Sequence, residues 1–167
     1  MQFKYRPPMD MMPTYLRKLL KSPPHLLKSF HYEDVLAFLQ MGEEQRFVSH
    51  DLVFDQSDYI TSAFLVADGK VTVWNDNIEL ANLGAGSFLG ETFLFSKHTR
   101  MAKVTAHNDC ILLKFERYDV LNYFRRRPEK LFNIFTKNII EIQQDKIQNM
   151  NVQLLQLKKR LLDERKF

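Results

Sequence analysis

Two periods of hydrophobicity alternate along this chain of 167 residues, and the points where one replaces the other mark its elements. The stretch MPTYLRKLLKS (12–22) repeats with a period near 3.6, setting Tyr15, Leu16, Leu19 and Leu20 on one face of a helix that Pro23 and Pro24 then end. HYEDVLAFLQMGEEQRF (31–47) predicts a second amphipathic helix with Val35, Leu36, Phe38 and Leu39 as its buried stripe. From residue 52 the period falls to two. LVF (52–54), AFLVA (63–67), KVTVW (70–74), IELANL (78–83), AKVTA (102–106) and ILLKF (111–115) are β-branched or aromatic runs, with DG, NDN, GAG and HND as the turns between them. Many short strands at this spacing predict a sandwich or barrel.

The helical period returns near residue 117. RYDVLNYF predicts a short helix, RRRPEK breaks it, and Pro128 sits near the first position of the next. No Gly or Pro then interrupts the chain as far as Phe167. Ile140, Ile147, Leu154 and Leu161 recur every seven residues, with Met150 and Leu157 between them, and this predicts a two-stranded coiled-coil seam that the polar Gln143 interrupts. A helix of about 40 residues extends about 60 Å, further than a small barrel can cover, so its last turns call for a homodimer partner.

Composition narrows the class. Apolar residues make up 45% of the chain and 14 are Phe, which is a globular balance. Cys110 is the sole cysteine, so no internal disulfide forms and a reducing, cytoplasmic location is expected. Lys4, Arg6, Asp10 and three early prolines interrupt any signal-peptide core, and no run approaches the roughly 20 apolar residues of a membrane span. Net charge is segregated as +5 over residues 1–30, −7 over 31–124 and +6 over 125–167. An acidic centre is not a nucleic-acid footprint, and the basic ends read as solvated helix faces. The five histidines form no H-x-H or H-x-x-x-H pair, so neither a metal nor a metal enzyme is expected. HNDC (107–110) reads as a turn into a strand, and Trp74 as packing.

One stretch carries chemistry: GSFLGETFLFSKHTRMAKVTA (86–106) keeps an acid and a guanidinium nine residues apart among apolar neighbours. ETFLF predicts one short helical turn, whose free N–H groups after Gly90 attract an anion such as a phosphate. Arg100 can fork two donors onto phosphate oxygens, and Glu91 can accept from a sugar hydroxyl, so the pair suits a nucleotide. Spacing alone equally allows a Glu91–Arg100 salt bridge on a barrel surface.

The run LVADGKVTV through LGAGSFLGETFLFSKHTRMAKVTA resembles the cyclic-nucleotide-binding domain of the bacterial catabolite activator family and of the regulatory subunits of cyclic-AMP-dependent protein kinase. Gly69, Gly86, Phe88, Gly90, Glu91, Arg100, Ala102, Val104 and Ala106 carry the likeness, which covers about residues 30–160. It implies an α+β, mainly β chain: an antiparallel β-roll or jelly-roll barrel with N-terminal helices and a long C-terminal helix. It divides the chain into a helical extension (1–30), a nucleotide-binding roll with flanking helices (31–127) and the long helix (128–167). By the same resemblance Glu91 takes the ribose 2′-hydroxyl and Arg100 the cyclic phosphate, with Gly90 and Thr92 giving backbone approach and Met101 and Ala102 following at ligand-binding positions. The C-terminal helix then covers the base, with Asp145 and Lys146 falling at the capping positions, and pairs with a second subunit.

This chain departs from the family pattern at three places. Phe93 replaces a small residue and is expected as an occluder of the pocket; Ser57 in FDQSD replaces a glycine; Met101 lacks the hydroxyl that helps hold a guanine, favouring cyclic AMP over cyclic GMP as the ligand. The expected function is a non-enzymatic cyclic-nucleotide receptor that signals as a dimer through an unidentified protein partner. Because the sequence stops at Phe167 without a helix-turn-helix, direct DNA binding is not expected. The alternatives are a ligand-free dimeric scaffold and the sensor half of a truncated transcription regulator.

Overall fold

The computed structural model describes residues 8–95 and 97–165, so Lys4, Arg6 and the last two residues of the expected C-terminal helix, Lys166 and Phe167, lie outside the described residues. A 3-10 turn at Met9–Met11 precedes α1 (Thr14–Lys21), and another at His25–Leu27 precedes α2 (Tyr32–Met41). The strands follow: β1 (Glu43–Phe47), β2 (Leu52–Phe54), β3 (Ser62–Asp68), β4 (Lys70–Asn75), β5 (Ile78–Gly84) and β6 (Phe88–Leu89). A 3-10 turn at Glu91–Leu94 then leads to β7 (Lys103–Ala106), β8 (Cys110–Glu116), α3 (Arg117–Arg125) and α4 (Glu129–Glu164). Prolines open α1 and α4: Pro13 and Pro128 occupy their N-cap positions, where a missing N–H costs nothing.

The strands pair antiparallel in two four-stranded sheets, ordered β1-β8-β3-β6 and β2-β7-β4-β5, which is the β-roll the resemblance implies. One helix expectation is corrected. The predicted helix over 31–47 ends at Met41, and residues 43–47 form β1, paired with β8 from Glu43↔Lys114 to Phe47↔Cys110. Gly42 makes the break: its backbone is extended, and an added Cβ would lie 2.9 Å from the Phe115 ring, so only a glycine lets the chain pass this close to β8. β1 is an edge strand, and its charged EEQR run suits a solvated edge as well as it suits a helix face.

β3 separates two cores, which explains its unbroken apolar run. Phe64 and Val66 pack inside the roll with Val71, Leu89, Val104, Ala106 and Leu112. Ala63, Leu65 and Ala67 belong instead to a helix-side core with Leu19 of α1, Phe38 of α2, Phe124 of α3 and Phe135 of α4. Aromatic rings dominate that core, with centroids 5.0 Å apart for Phe38–Phe115 and 4.8 Å for Phe124–Phe135.

Polar anchors hold the start of α4 against it. The buried Asn138 Nδ2 donates to the carbonyls of Leu26 (3.0 Å) and Lys28 (2.8 Å). Beyond Gln143 the packing stops. Residues 144–165 are all exposed, and the rest of α4 projects about 30 Å at 1.5 Å per residue. Among the described residues no helix is long and apolar enough to cross a membrane.

Candidate functional site

β6 pairs with β3 through Phe64↔Leu89 and Leu65↔Phe88 and ends at Gly90, whose φ of 71° lies in the left-handed region. A Cβ at Gly90 would overlap Arg100 Nη1, so this glycine supplies both the turn and the space for the guanidinium. Arg100 arrives on a segment that crosses residues 57–60. Its N–H donates to the Asp58 carbonyl (2.7 Å), Ser57 N–H donates to the Arg100 carbonyl (3.1 Å), and Ile60 N–H donates to the His98 carbonyl (3.1 Å). Ser57 adopts φ of 77°, so the backbone shape expected of a glycine there persists in its absence. Asp58 supports the turn by accepting from the Asp55 N–H at 2.8 Å.

The Arg100 side chain is 6% exposed. Nη2 donates to the Ser62 carbonyl at 2.7 Å, and the guanidinium carbon lies 4.2 Å from the Phe54 ring centroid and 5.8 Å from that of Phe64. Nε and Nη1, both buried, have no hydrogen-bond partner among the described residues. Burial lowers the pKa of Arg100 from its ordinary value, while the Asp58 charge raises it. A buried guanidinium with two idle nitrogens is costly, and a bound anion would relieve that cost.

Glu91 is equally buried, at 2% exposed, but its partners come from α4. Its Oε1 accepts from Gln143 Nε2 at 2.6 Å and from Lys146 Nζ in an ion pair. Gln143 and Lys146 lie three residues apart, on one helix face. Glu91 and Arg100 thus form no salt bridge with each other: the acid pairs with Lys146, and Arg100 Nε and Nη1 have no partner among the described residues.

The remaining expected site residues are dispersed. Thr92 and Ala102 are half-buried, Met101 is 84% exposed, and Asp145 is exposed while Lys146 turns to Glu91. Phe93 is buried in the helix-side core, and its carbonyl accepts from Arg117 Nε at 2.6 Å. Its ring therefore belongs to a different core from the Phe64 ring beside Arg100. Sequence reasoning missed Gln143, read only as a flaw in the seam, and the Ser62 carbonyl and the Phe54 and Phe64 rings that seat Arg100. The i, i+3 spacing of Gln143 and Lys146 was the available signal for the first; backbone and ring contacts across the roll leave none.

A cavity of about 190 Å³ lined by His50, Trp74, Asn77, Lys103 and Thr105 lies on the β4–β7 surface. Cys110 is buried and its thiol is pushed up by burial, while the His107 ring contacts Thr72 Oγ1 at 3.1 Å. Among the described residues no three His, Cys, Asp or Glu side chains converge as metal ligands.

Comparison with known proteins places these residues in context. The family model of the cyclic nucleotide-binding domain matches residues 44–127, a span that contains Gly90, Glu91 and Arg100. The cyclic AMP receptor protein of Thermus thermophilus is 34% identical over 87 residues, covering 49% of this chain and 40% of that protein. The crystal structure of the Thermus thermophilus catabolite activator protein superposes with a TM-score of 0.69 at 25% identity, over 80% of this chain and 63% of that one. The N-terminal domain of a transcriptional regulator from Streptomyces coelicolor follows at a TM-score of 0.65 and 22% identity, over 74% of this chain and 91% of that one, and shows the fold alone. The chain thus spans less than half the length of the curated relative and less than two thirds of the catabolite activator structure.

Proposed function

The chain belongs to the cyclic nucleotide-binding domain family, and from that membership we propose that it is a non-enzymatic cyclic-nucleotide receptor, with cyclic AMP as its ligand in preference to cyclic GMP. The observation that carries this reading is the buried Arg100, whose Nε and Nη1 have no partner among the described residues, while an acid stands one residue past the neighbouring Gly90. An anionic phosphate would give a buried guanidinium the acceptors it lacks, and Gly90 leaves room for that guanidinium. Glu91 is the acceptor for the ribose, and α4 lies over it through Gln143 and Lys146.

Dimerisation through the exposed Ile147, Met150, Leu154, Leu157 and Leu161 of α4 completes the proposal. Nucleotide binding at Glu91 would move the helix that carries the seam, and a protein partner would read that movement. A cytoplasmic location accords with the single, buried Cys110. The relative named as a cyclic AMP receptor protein supports cyclic AMP over cyclic GMP.

One observation favours a second reading. Glu91 already has two donors from its own chain, as it would in a scaffold that has given up its ligand. Isothermal titration decides between them. Cyclic AMP should release or absorb heat and raise the melting temperature, cyclic GMP should bind more weakly, and Arg100→Ala should abolish both signals. No heat and no thermal shift at millimolar nucleotide would leave the scaffold reading standing.

A further inference from the structure

Glu91 and Arg100 enter the site on two separate segments, and one residue outside the site, Arg117, holds both. It is the first residue of α3, at the corner where β8 leaves its sheet, and its own N–H donates to the Thr61 carbonyl at 3.0 Å. Its half-buried side chain reaches two ways. Nε donates to the Phe93 carbonyl at 2.6 Å, inside the Glu91–Leu94 turn, and Nη2 donates to the Ile60 carbonyl at 2.7 Å, inside the segment that receives Arg100.

The turn needs such a tie. β6, which leads into it, is two residues long and too short to fix the direction of the turn by itself. The last carbonyls of a helical turn have no partner within the turn, and that of Phe93 is taken up by Arg117. The Phe93 ring is 1% exposed in the helix-side core, and Ile60 packs against the same core. Each segment is thus anchored twice, by an apolar side chain in that core and by a carbonyl on Arg117. Ile60 in turn belongs to the frame of Arg100: its N–H donates to the His98 carbonyl at 3.1 Å, and two residues further on the Ser62 carbonyl accepts from Arg100 Nη2 at 2.7 Å. A guanidinium is planar and its donors point in fixed directions, so the two carbonyls it holds are fixed relative to one another.

Resting on the proposed nucleotide site, we propose that Arg117 is a positioning residue for the ligand: it sets the Glu91 turn in register with the Arg100 segment, so that one cyclic nucleotide meets the acid with its ribose 2′-hydroxyl and the guanidinium with its phosphate at once. A ligand whose two groups are a fixed distance apart gains from both contacts only when the protein already holds the two receptors at the matching separation. Arg117 acts through the Phe93 and Ile60 carbonyls and not by contact with the ligand. Phe93 shares in this role, since the ring that departs from the family pattern seats the carbonyl that Arg117 holds.

The test is titration calorimetry with cyclic AMP and 2′-deoxy cyclic AMP on the wild type, Arg117→Met, Arg117→Lys and Arg125→Met. The wild type should prefer cyclic AMP by about tenfold or more, the worth of one hydrogen bond to a charged acceptor. Arg117→Met should bind cyclic AMP at least about tenfold more weakly and prefer it over the deoxy nucleotide by less than about threefold. Arg117→Lys keeps the charge but has no planar fork to span two carbonyls, so its preference should also fall below about threefold, and it decides the matter if Arg117→Met does not fold. Arg125→Met removes the same charge from the exposed end of α3 and should leave both affinities within about twofold. A merely structural role would weaken both nucleotides together and leave their ratio unmoved. A wild-type ratio in a folded Arg117 variant, or an equal loss of preference in Arg125→Met, overturns the role of Arg117 while the receptor reading stands. A wild type that binds both nucleotides without preference also overturns it, because Glu91 is then not positioned to read the ribose. A wild type that binds neither at millimolar concentration overturns the receptor reading and this proposal with it.

Discussion

Over residues 129–143 α4 buries Leu131, Phe135, Asn138 and Ile139 against the body of the protein, whereas beyond them Ile147, Met150, Leu154, Leu157 and Leu161 stand more than half exposed. The apolar periodicity is the same in both halves. What differs is the surface available to receive it. The first half crosses the aromatic core built by Phe38, Phe115 and Phe124 and is pinned by Asn138 to the carbonyls after α1. Beyond Lys146 the second half runs past the end of the roll, and its residues are all exposed among the described residues. A hydrophobic stripe states that a helix has a face to bury and leaves open what buries it.

Phe135→Ala is the largest way to test that contrast. Phe135 is fully buried, with ring neighbours at 4.8 Å (Phe124) and 5.8 Å (Phe38), so truncation leaves a cavity among rigid rings. The expected cost is about 3–5 kcal/mol by urea denaturation. Leu154→Ala, measured at a concentration where the chain is monomeric, should cost less than about 0.5 kcal/mol. Equal costs would break the comparison, because they would mean that the far half of α4 packs on its own body.

A double charge in the far half sharpens it further. Leu154→Asp/Leu161→Asp would set two carboxylates into the proposed two-stranded seam without touching the body. In sedimentation equilibrium the dimer should weaken by at least about a hundredfold, since an unpaired buried charge costs several kcal/mol. The denaturation midpoint of the monomer should stay where it was. A dimer of unchanged strength would place the subunit contact elsewhere on the surface.

The sequence was most readable where local chemistry decides the outcome. Apart from Ala102, the runs from LVF to ILLKF lie in strands, and Gly90 sits at a left-handed turn beside the Arg100 guanidinium. Residues 43–47 were misread because an amphipathic count cannot see β8, the strand that recruits them, and the charged edge residues suit either element. β6, at Phe88–Leu89, is too short to have a period. At the site, Glu91 and Arg100 stood out as polar groups in an apolar stretch, and both are buried. Lys146 stood out only by resemblance, as a capping position, and Gln143 only as a break in the seam; their meeting with Glu91, more than 50 residues away, depends on the angle at which α4 leaves the core. Phe93 posed the reverse problem: its position along the chain pointed to the pocket, and its ring entered the helix-side core.

The smallest effect marks the boundary between the two halves. Glu141 stands just before Gln143 and is the last acid tying the packed half of α4 to the body, with Oε2 3.1 Å from His25 Nε2 and 3.6 Å from Lys28 Nζ, and Oε1 3.7 Å from Lys137 Nζ. The hydrogen bond with His25, and then the charges of Lys28 and Lys137, hold the Glu141 carboxyl below the usual carboxylate range. A carboxyl whose folded pKa is depressed stabilises the fold at pH values above its unfolded pKa, about 4.3, and this contribution is lost as pH falls through the lower folded value. Thermal unfolding followed from pH 6 to pH 3 should therefore show the wild type losing its advantage over Glu141→Gln below about pH 4. Because the pair is solvent-exposed, added salt should shrink the difference at pH 6. If Glu141→Gln matches the wild type at pH 6 in low salt, the buried contacts of Leu131, Phe135, Asn138 and Ile139 alone hold the packed half, and the contacts of Gln143 and Lys146 with Glu91 are the next polar tie along the helix.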